Sequence, residues 1–187
     1  MITSIIAYFL LICFMVVEKR LRFSDTAKEF NLRSDRSTLI LGILYGLNLT
    51  LIMIVIILEI FHHTSSHWTI GWVGIGLIFA GFYLRIKANL QLGKYYTRSL
   101  LVIHNQQIVS SGLYRYIRHP GYLGLILSWA GAGLATQRII IFVIICCITF
   151  GAYSYRIAKE EEKLTYTLGD DYRNYMKKTK RIIPFLF

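Results

Sequence analysis

The sequence predicts an all-α integral membrane protein, and three observations carry that prediction. Of the 187 residues, 55% are hydrophobic, and the mean hydropathy of +0.51 lies above the range of a water-soluble domain. The apolar residues gather into five runs rather than alternating with polar ones, which is helical and not strand patterning. Only Pro120 and Pro184 interrupt the chain, so long helices meet few breaks. The length suits one domain over residues 1–187, with three N-terminal spans and their loops in 1–90 and a chemically denser part in 91–187.

The first run, Ile2–Val17, lacks the basic start and small-residue cleavage site of a signal peptide, and Glu18-Lys19-Arg20 follow it directly; it reads as a retained span. The second, Leu39–Ile60, is long enough to cross a bilayer core of about 30 Å at about 1.5 Å per residue. The third, Ile70–Leu84, continues toward Leu92. The fourth, Gly121–Thr136, is short for a full crossing, and the fifth is Ile139–Tyr155. Only Gln137 and Arg138 separate the last two, so they form a tight helical hairpin. The expectation is therefore about five transmembrane helices followed by a helical C-terminal tail. In that tail an amphipathic helix lies on the bundle or membrane surface. Gly169 ends it, and Asp170 caps a last helix carrying Tyr172, Tyr175 and Met176.

The charges orient these spans. Formal net charge is +11, but the apolar content argues against a nucleic-acid partner, and the basic residues flank the spans instead. Twenty of the 21 lysines and arginines fall between runs one and two, between three and four, or after five; only Arg138 is on the other side. Arg85 is counted among these loop charges. Such asymmetry places the N-terminus outside and the tail in the cytoplasm. Spans one to three carry no intramembrane charge of the kind a transport path needs. Cys13, Cys146 and Cys147 lie in apolar runs without metal spacing and read as packing residues. His62, His63 and His67 read as an interfacial loop, so no metal site is expected. The glycines, including the GxxxG of Gly42 and Gly46, read as helix-packing positions; whether that pair packs within or between chains, and hence the oligomeric state, is open.

Residues 112–124, GLYRYIRHPGYLG, crowd polar groups at the mouth of an apolar run, where they are costly to place without a use. The tail, RIAKEEEKLTYTLGDDYRNYMKKTKRIIP, faces the same compartment. In it, Arg156 and Glu160 are four apart and share a helix face. One face thus gathers Tyr114, His119, Tyr122, Arg156 and a glutamate pair. Carboxylates accept from an ammonium or ribose hydroxyls, helix-start N–H groups and an imidazole hold a carboxylate, and aromatic rings face a cation or a base. Taken singly, each has a plainer reading: Glu160, Glu161 and Glu162 as a solvated face paired with Lys159 and Lys163, Arg156 as an interfacial cation, His119 as a helix-start residue.

The pairing of these two stretches resembles the isoprenylcysteine carboxyl methyltransferase family and the related phospholipid methyltransferases, integral membrane enzymes that use S-adenosylmethionine. The resemblance covers roughly residues 90–184. It implies that 91–187 is the catalytic part and that the cofactor contacts are Gln107, Ile108, Val109, Tyr114, His119, Pro120, Gly121, Tyr122, Glu160 and Glu161. It implies that Arg156 orients the substrate carboxylate. A lipophilic or prenylated acceptor enters from the bilayer and the cofactor from the cytoplasm, in a multi-pass protein of a prokaryotic cytoplasmic membrane. A carboxylate acceptor is already ionised and needs no general base; an amine acceptor, as in a phospholipid N-methyltransferase, needs Glu161 or His119 to take its proton. Membrane sterol and enone reductases that use NADPH carry a similar RHPxY stretch, but with Asn at position 121 and an acid soon after. Here Gly121 and Gly124 stand instead. A non-enzymatic scaffold or transporter is the third class considered.

Overall fold

The computed structural model describes residues 1–20, 36–61, 68–93 and 108–182, and every long element among them is a helix. They are α1 (Ile2–Arg20), α2 (Arg36–Phe61), α3 (Trp68–Leu92), α4 (Pro120–Ala135) and α5 (Ile139–Lys178), with a short 3₁₀ turn at Gly112–Arg115 before α4. A continuous apolar helix satisfies its backbone internally, as a lipid surround requires. Helices α2, α3 and α5 are long and apolar enough to cross a membrane; the apolar stretch of α1, Ile2–Glu18, is shorter. α4 has 16 residues, about 24 Å of helix.

The contacts alternate between two ends. At one end Thr3 Oγ1 donates to Ala135 O (2.8 Å) and Ser4 Oγ to Glu59 Oε2 (3.0 Å), joining the start of α1 to the ends of α2 and α4. At the other end Arg156 of α5 reaches Ser37 at the start of α2, and Arg85, late in α3, reaches Glu18, late in α1. The helices therefore run up and down in turn, and the polar stretch before α4 lies at the second end.

Helices α3 and α4 make the closest seam. A Cβ on Gly81 would lie 2.4 Å from Gly124 O, and one on Gly131 would lie 2.5 Å from Gly74 O. The pairs Gly81–Gly124 and Gly74–Gly131 are seven residues apart on each helix, two turns of an antiparallel contact. Small residues permit this approach where burying apolar surface gives no drive in lipid. Gly42 and Gly46 do not serve such a contact among the described residues, because a Cβ on either meets none of them within 4 Å. Across α2 and α5, Tyr45 and Tyr153 share a hydroxyl hydrogen bond (2.5 Å), and Asn48 Nδ2 donates to Thr149 Oγ1 (3.1 Å).

Two sequence expectations change. The amphipathic tail helix is no separate element: α5 continues from its apolar half without a break to Gly169. From Ile139 to Leu168, ahead of Gly169, it measures about 45 Å, about one and a half times a hydrocarbon core, so its second half extends past the apolar part. Gly169 does end this helix, with φ +57° and ψ −130°, a backbone open to glycine, and a last helical stretch carries Tyr172, Tyr175 and Met176. Arg85, counted above as a loop charge, is instead buried inside α3 and paired with Glu18, so the helices do carry internal charge.

Candidate active site

Pro120 opens α4, where its missing N–H costs nothing and its fixed φ suits a first turn. The stretch before it is held by the chain's return after α5. Residues 117 and 180 form a parallel bridge. Arg118 N donates to Lys180 O (2.7 Å), His119 N to Arg181 O (3.0 Å) and Lys180 N to Tyr116 O (3.1 Å). Arg118 adds bonds from Nη1 to Met176 O (3.2 Å) and to Thr179 O. Tyr175 Oη donates to Tyr114 O (2.7 Å), Tyr114 Oη to Ala88 O (3.4 Å), and Leu113 N to Gln91 Oε1 (3.0 Å). The last turn of α3 and the end of the chain thus clamp the RHPGY stretch from both sides.

Against this clamp α5 presents Arg156, Glu160 and Glu161. Tyr122 Oη donates to Glu160 Oε2 (2.7 Å) and accepts from Arg156 Nε (3.3 Å). The guanidinium of Arg156 is buried and also donates from Nη1 to Ser37 Oγ (2.6 Å) and Thr38 Oγ1 (3.0 Å). Glu161 is encircled by nitrogen donors. Arg118 Nε lies 2.7 Å from its Oε1 and Arg181 Nε 2.9 Å from its Oε2, while His119 Nε2 is 3.3 Å from Oε1. Burial pushes the Glu161 carboxyl up, but the hydrogen bonds and charges of His119 and Arg118 outweigh it and hold the group down at about 2. Glu160 keeps 31% of its side chain exposed, with His119 Nδ1 4.0 Å away. Glu162 is the surface member, paired with Lys159 at 2.7 Å. The three consecutive glutamates therefore face three ways.

Of the residues named from the sequence, Tyr122, His119, Arg156, Glu160 and Glu161 come together. Pro120 and Gly121 form the buried first turn beside them, and Tyr114 is buried beneath the clamp. Ile108 and Val109 are half-buried at the start of the described segment, while Gln107, like His62, His63 and His67, lies outside the described residues. Sequence reasoning missed Ser37, Thr38, Arg118, Arg181 and the Glu18–Arg85 pair. Arg118 stands beside His119 and Arg85 stands in an apolar run, and each was a visible signal.

The family model for the isoprenylcysteine carboxyl methyltransferase (ICMT) family matches residues 72–166, just over half of the chain and the whole of α4. The chain belongs to this family. Similar proteins include a protein-S-isoprenylcysteine O-methyltransferase of Schizosaccharomyces pombe, 29% identical over 114 residues, 60% of this chain and 48% of that one. A probable one of Oryza sativa subsp. indica is 26% identical over 129 residues, 68% of each chain. A methanethiol S-methyltransferase of Bradyrhizobium diazoefficiens is 34% identical over 73 residues, 39% of this chain and 25% of that one. The solved structure of a eukaryotic intramembrane Ras methyltransferase ICMT has the same fold over 76% of this chain and 52% of its own, with TM-score 0.68 and 22% identity. This ICMT-family chain thus spans about half the length of the yeast relative and of that structure.

Proposed function

We propose that this protein transfers the methyl group of S-adenosylmethionine to the carboxylate of a lipophilic, isoprenylcysteine-like acceptor. The observation that carries the reading is the Glu160–Tyr122–Arg156 relay, which sets an acceptor carboxylate beside a buried cation through one hydroxyl. The donor set suits the cofactor. Glu160 is a part-exposed acceptor for hydroxyl or ammonium groups, His119 and Tyr122 give stacked aromatic faces 5.6 Å apart, and Asn89 Oδ1, at the same end of the bundle, is a buried acceptor with no hydrogen-bond partner among the described residues. Ile108, Val109, Tyr114, Pro120 and Gly121 complete this cradle, with Glu161 behind it, fixing His119 and Arg118; Gln107, outside the described residues, is proposed as a contact from the sequence resemblance alone.

When bound, S-adenosylmethionine supplies an electrophilic sulfonium methyl. Arg156 clamps the acceptor carboxylate through its planar donor fork and aims one oxygen. Ser37 and Thr38 keep that fork from rotating. The acceptor oxygen is already anionic, so positioning rather than proton removal is what the residues contribute. The catalytic part is the 91–187 segment within one membrane domain. Five helices cross or enter the bilayer of a prokaryotic cytoplasmic membrane with the site on the cytoplasmic side, and the acceptor enters between helices.

The test is methyl transfer to a panel of lipid carboxylates, amines and thiols, the last because one relative is named for a thiol. Arg156→Ala is expected to lose roughly 100-fold or more in kcat/KM on carboxylate acceptors, and Glu160→Gln to weaken S-adenosylhomocysteine binding. Full carboxylate activity in Arg156→Ala, or unchanged binding in Glu160→Gln, overturns the assignment of that residue.

A further inference from the structure

We propose that the buried Glu18–Arg85 pair is a positioning device for Tyr122, and through it for the reacting groups. The inference rests on the methyl-transfer reading above but concerns residues outside the relay. Arg85 Nε and Nη2 lie 2.9 and 2.5 Å from Glu18 Oε1, and both residues are buried, at 8% and 9% exposure. A buried ion pair is weak evidence for stability, since apolar replacements of similar volume serve as well or better. Ionisable groups inside membrane helices mark function by default, and the place of this pair says which function.

The guanidinium carbon of Arg85 stands 5.9 Å from the centroid of the Tyr122 ring, within cation–π range. A Cβ on Gly121 would meet Arg85 Nη1 at 2.7 Å, and one on Gly124 would meet the Arg85 backbone N at 2.8 Å. Gly121, in the first turn of α4, leaves the room that the Arg85 guanidinium fills, and Gly124 lets the backbone of α3 at Arg85 come this close. Glu18 fixes the guanidinium plane from α1 and cancels its charge, so a cation stands against the Tyr122 ring without adding net charge to the site. The hydroxyl of that ring joins Glu160 to Arg156. A shift in the ring's tilt moves both the cofactor-side carboxylate and the acceptor-side arginine.

The experiment uses the full chain in detergent or nanodiscs with 3-fluorotyrosine at position 122, and two variants. Glu18→Leu with Arg85→Met removes the pair without leaving a lone charge. Arg85→Lys keeps an ion pair with Glu18 but withdraws the planar guanidinium from the ring. In each, the thermal midpoint is expected to stay near that of the parent protein. The fluorine resonance is expected to shift, and kcat to fall about 10–100-fold with acceptor KM changed less than about threefold. An unchanged fluorine resonance in either folded variant overturns the proposal, as does a loss of activity that only follows a loss of folded protein. If the double variant does not fold, Arg85→Lys decides alone. If the parent protein transfers no methyl to any acceptor, the proposed function fails, while the fluorine readout still decides whether the pair positions Tyr122.

Discussion

The hydroxyl of Tyr122 spends its single proton on Glu160 and one lone pair on Arg156, which is all that a phenol needs to couple an anion to a cation. Tyr122→Phe leaves each charge one hydrogen bond short. Bonds to charged groups contribute about 1.5–3 kcal/mol, so kcat/KM for methyl transfer is expected to fall about 10–100-fold, and the thermal midpoint to fall with it because the buried Arg156 loses a partner in the fold itself. Glu161 behaves differently, because its partners are structural. Its carboxyl is held at about 2 against an ordinary 4.5. The stabilisation is thus fully present above pH 4.5 or so and is lost as pH falls toward 2, when the unfolded chain binds the proton more readily. The thermal midpoint should drop across that window, and Glu161→Gln should flatten the drop. At neutral pH the same change takes the carboxylate away from the buried Arg118 and should cost roughly 3–5 kcal/mol. Much of this site was legible in advance: the four-residue spacing of Arg156 and Glu160 put them on one face, and RHPGY announced a polar helix start. Two things were not. Adjacent glutamates differ by about 100° around a helix, so their separate roles depend on what packs opposite. Glu18 and Arg85 are 67 residues apart, and no local pattern joins them.

At the scale of elements, α3 and α4 are held by absent side chains. Gly81→Ala would drive a methyl to 2.4 Å from Gly124 O, backbone that cannot step aside, so the helices must part. A loss of roughly 1–3 kcal/mol is expected, read as a lower thermal midpoint in detergent. Gly42→Ala is the control. Among the described residues nothing lies within 4 Å of its Cβ, so the change should be neutral or stabilise by up to about 1 kcal/mol through helix propensity alone. From sequence the two sets of glycines looked alike, and the GxxxG of Gly42 and Gly46 was the more familiar pattern. What separates them is the seven-residue repeat shared by two antiparallel helices, which only the pairing of α3 with α4 makes visible. Element bounds were easier to read, because apolar runs end where charge begins. The exception is the end of the fifth run: apolar patterning stops near Tyr155, but helical backbone does not, since the lysines and glutamates that follow are good helix formers.

For the whole molecule, the same alternation of helices that builds the site also fixes which loops share its side of the bilayer. At the site end, the end of α1 meets the end of α3, the end of α3 meets the turn before α4, and the start of α2 meets Arg156 of α5. The opposite end holds Ser4, Glu59 and the α4–α5 connection. Among the described residues Arg36, Arg85, Arg118, Arg156 and Arg181 lie toward the site end and Arg138 at the other, and an excess of lysine and arginine marks the cytoplasmic side, which supports the orientation proposed above. Two positions report on it. Tyr166 is 92% exposed on the second half of α5, and Ile139 is 70% exposed beside the α4–α5 connection. In a background with Cys13, Cys146 and Cys147 replaced, Tyr166→Cys should react with a membrane-impermeant maleimide in inside-out vesicles and resist it in intact cells. Ile139→Cys should show the reverse. Labelling of Tyr166→Cys from outside intact cells would turn the molecule over and put the cofactor-side carboxylate Glu160, only six residues earlier on the same helix, out of reach of a cytoplasmic methyl donor.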